Sequence, residues 1–279
     1  MTSMTDNAQS TDAGELPADG SGADATDDWL DPAALSVALR EMRDAGLTTI
    51  ENALPLQVIE DLRAAYEALL ESSPGGRVQN TSGEQHLQMQ LPLQSPFSDP
   101  LVVTHPALRQ VAGALLGESF TCCYYNSNTA LPGSTFQRVH RDTSPLFGTE
   151  VGVATPTVGI VVNIPLVDFT LENGSTEVWP GTHLIVDQPD ETASLDDRVA
   201  PLSSARVNVA AGSIVLRDLR VWHRGVPNKS AQQRTMLAIV YHRGFLGWQH
   251  SSMQVSDSVF AGWPEETQRV FARVPRVPG

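Results

Sequence analysis

His140, Asp142 two places on, and His223 far downstream are residue types that together hold a transition metal. Two imidazole nitrogens and one carboxylate oxygen occupy one face of an octahedron. The opposite face stays open to exchangeable ligands, the arrangement of non-haem Fe(II) oxygenases. In extended chain, residues i and i+2 share a face, so His140 and Asp142 can reach one metal from one strand end. Arg234 stands eleven residues past His223. A guanidinium offers parallel N–H donors to a carboxylate, which suits the far end of a 2-oxo acid. The chemistry these four residues propose is oxidation by Fe(II), 2-oxoglutarate and O2. An H-x-D tripeptide by itself recurs by chance; the distant histidine and the arginine give it weight. Among the seven histidines only His140 has a carboxylate two places later. His183 reads as structural. His242 is a decoy, placed inside the last strand with no carboxylate beside it.

Elements that could position this set are legible. Asp31-Pro32 is an N-cap followed by a proline suited to a first helical turn. Leu35, Leu39 and Met42 repeat at helical spacing up to Gly46. A short strand Leu47–Ile50, a helix from about Pro55 to Leu70 and a helix His105 to Leu116 follow. After Gly117 come short runs rich in Val, Ile, Thr and Tyr: 120–126, 134–140, 158–166, 176–179, 206–209, 213–216 and 234–242. Many short strands broken by Gly, Pro and Asn predict a mainly β fold with flanking α, a jelly roll (double-stranded β-helix, cupin-like) preceded by N-terminal helices. The long connections 143–157 and 187–205 read as lids over a substrate. Tyr125, Asn126 and Asn128 are expected at the cavity mouth.

The totals bound the rest. The 279 residues carry a net charge of -14 and are 41% hydrophobic. The acidic balance argues against nucleic acid and anionic membranes as partners. Seven of the acidic residues lie in 1–28 with no Lys or Arg, so that segment is expected to be a disordered tail and 29–279 a single domain. The only cysteines, Cys122 and Cys123, are adjacent and in a strand point to opposite faces. Without a disulfide framework, a basic leader or a long apolar run, a soluble cytoplasmic protein is expected, as monomer or homodimer.

Three stretches carry a family resemblance: Phe136 to Asp142, Leu171 to His183, and Trp222-His223-Arg224-Gly225 through Arg234. Together with the helix-strand unit around Ala45 to Leu54, they resemble the phytanoyl-CoA dioxygenase family over roughly residues 31 to 245. The resemblance implies iron ligands at His140, Asp142 and His223, with Arg234 on the C5 carboxylate of 2-oxoglutarate. Gln137 matches a 2-oxoglutarate contact in the natural-product branch of the family. Asn163 and Arg77 are further candidates for that ligand. Gly225 departs from relatives that place a serine there to help hold the C5 carboxylate; Thr235 or a water would then have to compensate. Asp142 stands where related halogenases have Gly or Ala, which implies transfer of hydroxyl rather than halide. The implied activity is hydroxylation of an unactivated C–H bond of a small molecule in secondary metabolism, with release of succinate and CO2. Nothing resembles a dedicated CoA-binding patch. Desaturation or epoxidation would use the same residues. A non-catalytic jelly-roll binding protein and a cupin-type enzyme with another metal are rival readings; the first has no need of all four residues and the second gives Arg234 and Gln137 no role.

Overall fold

The computed structural model describes residues 29–72, 78–79, 83–188, 191–246 and 253–279. The expected acidic tail and Arg77 lie outside them. In chain order the elements are α1 (Pro32–Asp44), β1 (Leu47–Ile50), α2 (Leu56–Ser72), β2 (Val78–Gln79), β3 (His86–Gln90), α3 (Pro100–Val103), α4 (Pro106–Leu116) and β4 (Thr121–Ala130). Then follow β5 (Gly159–Pro165), β6 (Glu177–Trp179), α5 (Leu195–Arg198), β7 (Ala205–Arg206), β8 (Ile214–Asp218), β9 (Trp222–Arg224) and β10 (Arg234–His242). A C-terminal unit adds β11 (Val255–Ser256), α6 (Asp257–Gly262), α7 (Glu265–Val270) and β12 (Arg276–Val277).

A seven-stranded antiparallel sheet in the order β1-β8-β5-β10-β4-β3-β2 faces a smaller sheet, β7-β6-β9. Strand alternation divides the large sheet into two chemistries. Leu237, Ile239 and Tyr241 of β10, Ile160, Val162 and Ile164 of β5, and Ile214 and Leu216 of β8 pack into the main apolar core with α1, α2 and α4. Arg234, Met236 and Ala238, Val161 and Asn163, and Arg217 alternate with them and line a cavity on the other face. Cys122 and Cys123 divide the same way, one into the core and one onto the cavity.

The N-terminal unit forms as its sequence predicts. The Asp31 carboxylate accepts from the Ala33 and Ala34 N–H groups at 2.9 and 2.8 Å, capping α1. Gly46 ends it at φ 80°. A side chain there would meet Val221 at 2.5 Å and His183 at 2.6 Å. Glycine therefore lets β1 seat closely behind the chain that leads into His223.

Two expectations change. Residues 134–142 do not form a regular strand. Gln137 N–H donates to Gly225 O at 3.0 Å, His140 and His223 exchange two backbone bonds of 2.9 Å, and Asp142 N–H donates to Leu219 O at 2.8 Å. The pairing thus changes register twice within six residues, which breaks the ladder while keeping the chain extended. His242 is the last residue of β10 rather than an interior one.

Candidate active site

A cavity of about 640 Å³ lies between the two sheets, and His140, Asp142, His223, Arg234, Gln137 and Asn163 all line it. The two histidines arrive side by side, His223 on β9 of the smaller sheet and His140 on an extended segment bridged to it. The reciprocal backbone bonds between them hold their rings 4.2 Å apart. One donor atom from each of His140, Asp142 and His223 lies within 4.8 Å of the others.

Hydrogen bonding fixes which imidazole nitrogens face the cavity. His140 Nδ1 sits 2.9 Å from Arg138 O and His223 Nδ1 3.0 Å from Val221 O. A carbonyl only accepts, so both Nδ1 atoms carry a hydrogen and Nε2 is the ring nitrogen left to meet a metal. Backbone carbonyls orient metal-binding histidines in this way. His223 is buried; desolvation first, then Arg217 and His140, pushes its pKa well down against the pull of Asp142. It is therefore neutral at neutral pH. Burial opposes ionisation of Asp142, but Arg217 and the two histidines outweigh it and hold the carboxyl far below its usual range. Two imidazoles oriented by backbone carbonyls and one ionised carboxylate are a donor set that fits a divalent metal.

Arg234 opens β10 at the other end of the cavity. It is 3% exposed, its guanidinium stacks on Phe169 at 4.6 Å, and its Nε has no hydrogen-bond partner. Among the described residues no carboxylate pairs with it. Burial, then nearby Arg206, lowers its pKa to about 10, so it stays charged. A buried, unneutralised guanidinium is costly unless an anion meets it; the carboxylate of a 2-oxo acid is an anion of the right geometry.

The remaining expected residues sort plainly. Asn163 faces the cavity beside Ala238 of β10. Gln137 turns its carboxamide back, accepting from Gly225 N–H at 2.8 Å. Asn126 and Asn128 line the cavity, but Tyr125 points into the core and donates to Phe97 O at 3.1 Å. Thr235 does not compensate for Gly225: it lies on the core face, bonded to Thr129 at 2.9 Å. His183 is seated against Arg43 O at 3.2 Å, away from the metal set. Trp222 is buried beneath Arg198, whose guanidinium lies 4.5 Å from its ring.

Three residues went unrecognised in the sequence. His86 lines the cavity near Arg234, its Nε2 bonded to Thr135 O at 2.7 Å. Gln88 joins Asn128 in a row across β3 and β4. Arg217 binds Asp142 Oδ2 through Nη2 at 2.7 Å. The alternation Ile214, Val215, Leu216, Arg217 held a signal for the last of these, placing it opposite the apolar positions.

A jelly roll with two imidazoles, a carboxylate and a buried arginine without a carboxylate partner among the described residues, all around one cavity, defines the class of non-haem metal oxygenases. Residues 42–236 match the model of the phytanoyl-CoA dioxygenase (PhyH) family. The chain belongs to that family, and so to the Fe(II)- and 2-oxoglutarate-dependent oxygenases. It is 27% identical over 240 residues to dioxygenase aneA of Aspergillus aculeatus, covering 79% of this chain and 78% of that one. Its fold matches the non-haem alpha ketoglutarate dependent carbocyclase SnoK from nogalamycin biosynthesis, with TM-score 0.62 and 25% identity over 81% of this chain and 91% of that one. It also matches the epimerase SnoN in complex with Fe3+, alpha ketoglutarate and nogalamycin RO, with TM-score 0.60 and 20% identity over 76% and 84% of the two chains.

Proposed function

We propose that this protein hydroxylates an unactivated C–H bond of an uncharged small molecule, with His140, Asp142 and His223 holding Fe(II) and Arg234 holding 2-oxoglutarate. The observation that carries the reading is the pairing of a convergent two-histidine, one-carboxylate set with a buried guanidinium that lacks an anion. Bound iron would supply O2 activation coupled to decarboxylation of 2-oxoglutarate to succinate and CO2. Arg234 binds the C5 carboxylate and so fixes the co-substrate along β10. Gln137 and Asn163 flank that path. Arg77, outside the described residues, remains a candidate for the same role. Asp142 fills the position that halide would need, which favours return of hydroxyl.

The lining supports the substrate class. Among the described residues Asp142 is the only carboxylate lining the cavity, no lysine lines it, and Arg217 is already paired with Asp142. Toward β3 and β4 the polar lining includes three amides, Gln88, Asn126 and Asn128, with Tyr124 and His86. Asn126 Oδ1 is buried without a partner, and an unpaired buried acceptor favours a ligand that donates to it. A neutral substrate bearing hydroxyl groups meets these requirements; an acyl-CoA, with several phosphate charges, does not. The carbocyclase relative supports a second outcome, since ring closure begins with the same removal of hydrogen from carbon.

The test is anaerobic addition of Fe(II) and then 2-oxoglutarate to the apoprotein, followed by visible absorption. A chelated 2-oxo acid gives a metal-to-ligand charge-transfer band. Arg234→Ala removes two charge-assisted hydrogen bonds of about 1.5–3 kcal/mol each. The variant should need at least about 100-fold more 2-oxoglutarate for the same band. Iron binding without any band would count against the reading.

A further inference from the structure

We infer that Arg217 is a positioning residue for the metal: it holds Asp142 as a one-oxygen ligand and ties that carboxylate to the backbone shell of His223. The inference rests on the metal assignment proposed above and goes beyond it to a residue outside the donor set.

Strand β8 delivers Arg217 to the cavity because Ile214 and Leu216, at alternate positions, are committed to the core. The side chain is only 5% exposed. A buried guanidinium needs a charged partner, and the partner is Asp142. Nη2 donates to Oδ2 at 2.7 Å. The other oxygen, Oδ1, is the one that faces His223 Nε2, 3.6 Å away. Nη1 donates to Val221 O at 3.5 Å, the same carbonyl that accepts from His223 Nδ1. Nη1 also lies 3.1 Å from His223 Nδ1, but a protonated Nδ1 has no lone pair left to accept from it. One arginine of the large sheet thus braces two ligands carried by separate chain segments.

The division of the carboxylate has a chemical consequence. If Asp142 gave both oxygens to a metal, Arg217 would lose its partner and stay buried and charged. Keeping Oδ2 on Arg217 limits Asp142 to one coordination position. With two imidazoles that makes three, and three positions remain for a chelating 2-oxo acid and O2. Groups that orient a metal ligand commonly change metal affinity 10- to 100-fold when removed.

The experiment is Co(II) binding by competition with a chelating dye, with the Co(II) visible spectrum recorded for each protein. Wild type, Arg217→Met, Arg217→Lys and Asp142→Ala are compared, together with Asp142→Ala combined with each Arg217 variant. Arg217→Met should bind Co(II) at least 10-fold more weakly, with an altered spectrum. Arg217→Lys, which keeps one charged donor, should recover part of the affinity. Neither Arg217 change should matter once Asp142 is alanine. Affinity equal to or tighter than wild type in both variants, or an equal loss with and without Asp142, would overturn the inference. If Arg217→Met fails to fold, the Arg217→Lys comparison in the two backgrounds decides alone. Failure of wild type to bind Co(II) would instead strike the metal assignment itself.

Discussion

At the scale of single residues, Gly225 explains itself through its neighbours. A Cβ there would lie 2.7 Å from Gln137 Oε1 and 2.8 Å from His86 Cε1. The space a side chain would need at this position is taken by a carboxamide and an imidazole, both anchored by hydrogen bonds to backbone. Gly225→Ser should therefore weaken 2-oxoglutarate binding several-fold rather than strengthen it, since overpacking of this kind costs about 1–3 kcal/mol. Adding Gln137→Ala should restore much of the loss by clearing the space. The KM for 2-oxoglutarate reads both variants. A tighter KM in the single variant would show that Gln137 yields freely and that the departure at this position is neutral.

Among the elements, the turn from β8 to β9 positions the proposed metal site. Asp218 and Arg220, 1% and 7% exposed, form a forked pair at 2.9 and 2.8 Å. Arg220 N–H also donates to Asp218, and Arg220 Nη1 reaches Thr155 O at 2.9 Å, pinning the end of the 143–157 loop. The loop's start is tied by Arg141 to Asp187, which also takes Arg198 of α5. Leu219 O, inside the turn, accepts the Asp142 N–H. Asp218→Ala would strand a buried cation, costing about 3–5 kcal/mol, and would loosen Asp142 and His223 together. Denaturant unfolding should show that loss, and Co(II) affinity should fall in the same variant. Lost stability with unchanged metal affinity would mean that the ligands are held without the turn. The sequence disclosed much of this frame. The runs over β5, β8 and β10 were visible because β-branched residues mark them, and Arg234–His242 was read at its observed bounds. β3 was missed because His86-Leu-Gln-Met-Gln lacks β-branched residues, although Leu87 and Met89 alternate with polar neighbours. The segment through His140 looked like a strand because its residues are extended, but its shifting register comes from pairing partners far away in sequence. For Arg217 the alternation of β8 marked the face it takes, but its partner Asp142, 75 residues away, left no local trace.

Across the whole molecule, buried histidines tie stability to pH. His86, His105 and His183 lie outside the proposed metal set and are each 5% exposed or less. In all three, burial is the main cause that lowers the pKa from its ordinary value. Backbone acceptors at Thr135, Ala53 and Arg43 only partly offset it. For His105 the cost of a second proton is structural. Its Nε2 faces Ala53 O at 3.1 Å, while its Nδ1 accepts from Ala107 N–H at 3.2 Å and so caps α4. Protonated Nδ1 could no longer accept. The sign follows from linkage. The folded pKa lies below the unfolded value of about 6.5, so above that pH both states are neutral and stability is complete. As pH falls below it, the unfolded chain takes up protons that the folded chain refuses, and stability drops until the folded pKa is reached. Each such histidine can contribute up to about 1.4 kcal/mol per pH unit in that window. Urea unfolding of the metal-free protein at pH 7.5 and 5.5 should show a marked loss at the lower pH. His105→Gln, whose amide can still meet the Ala53 carbonyl, should flatten the dependence by about the share of one histidine. A pH dependence unchanged by that substitution would mean that His105 takes up its proton in the folded state after all, and that the cap on α4 gives way to it.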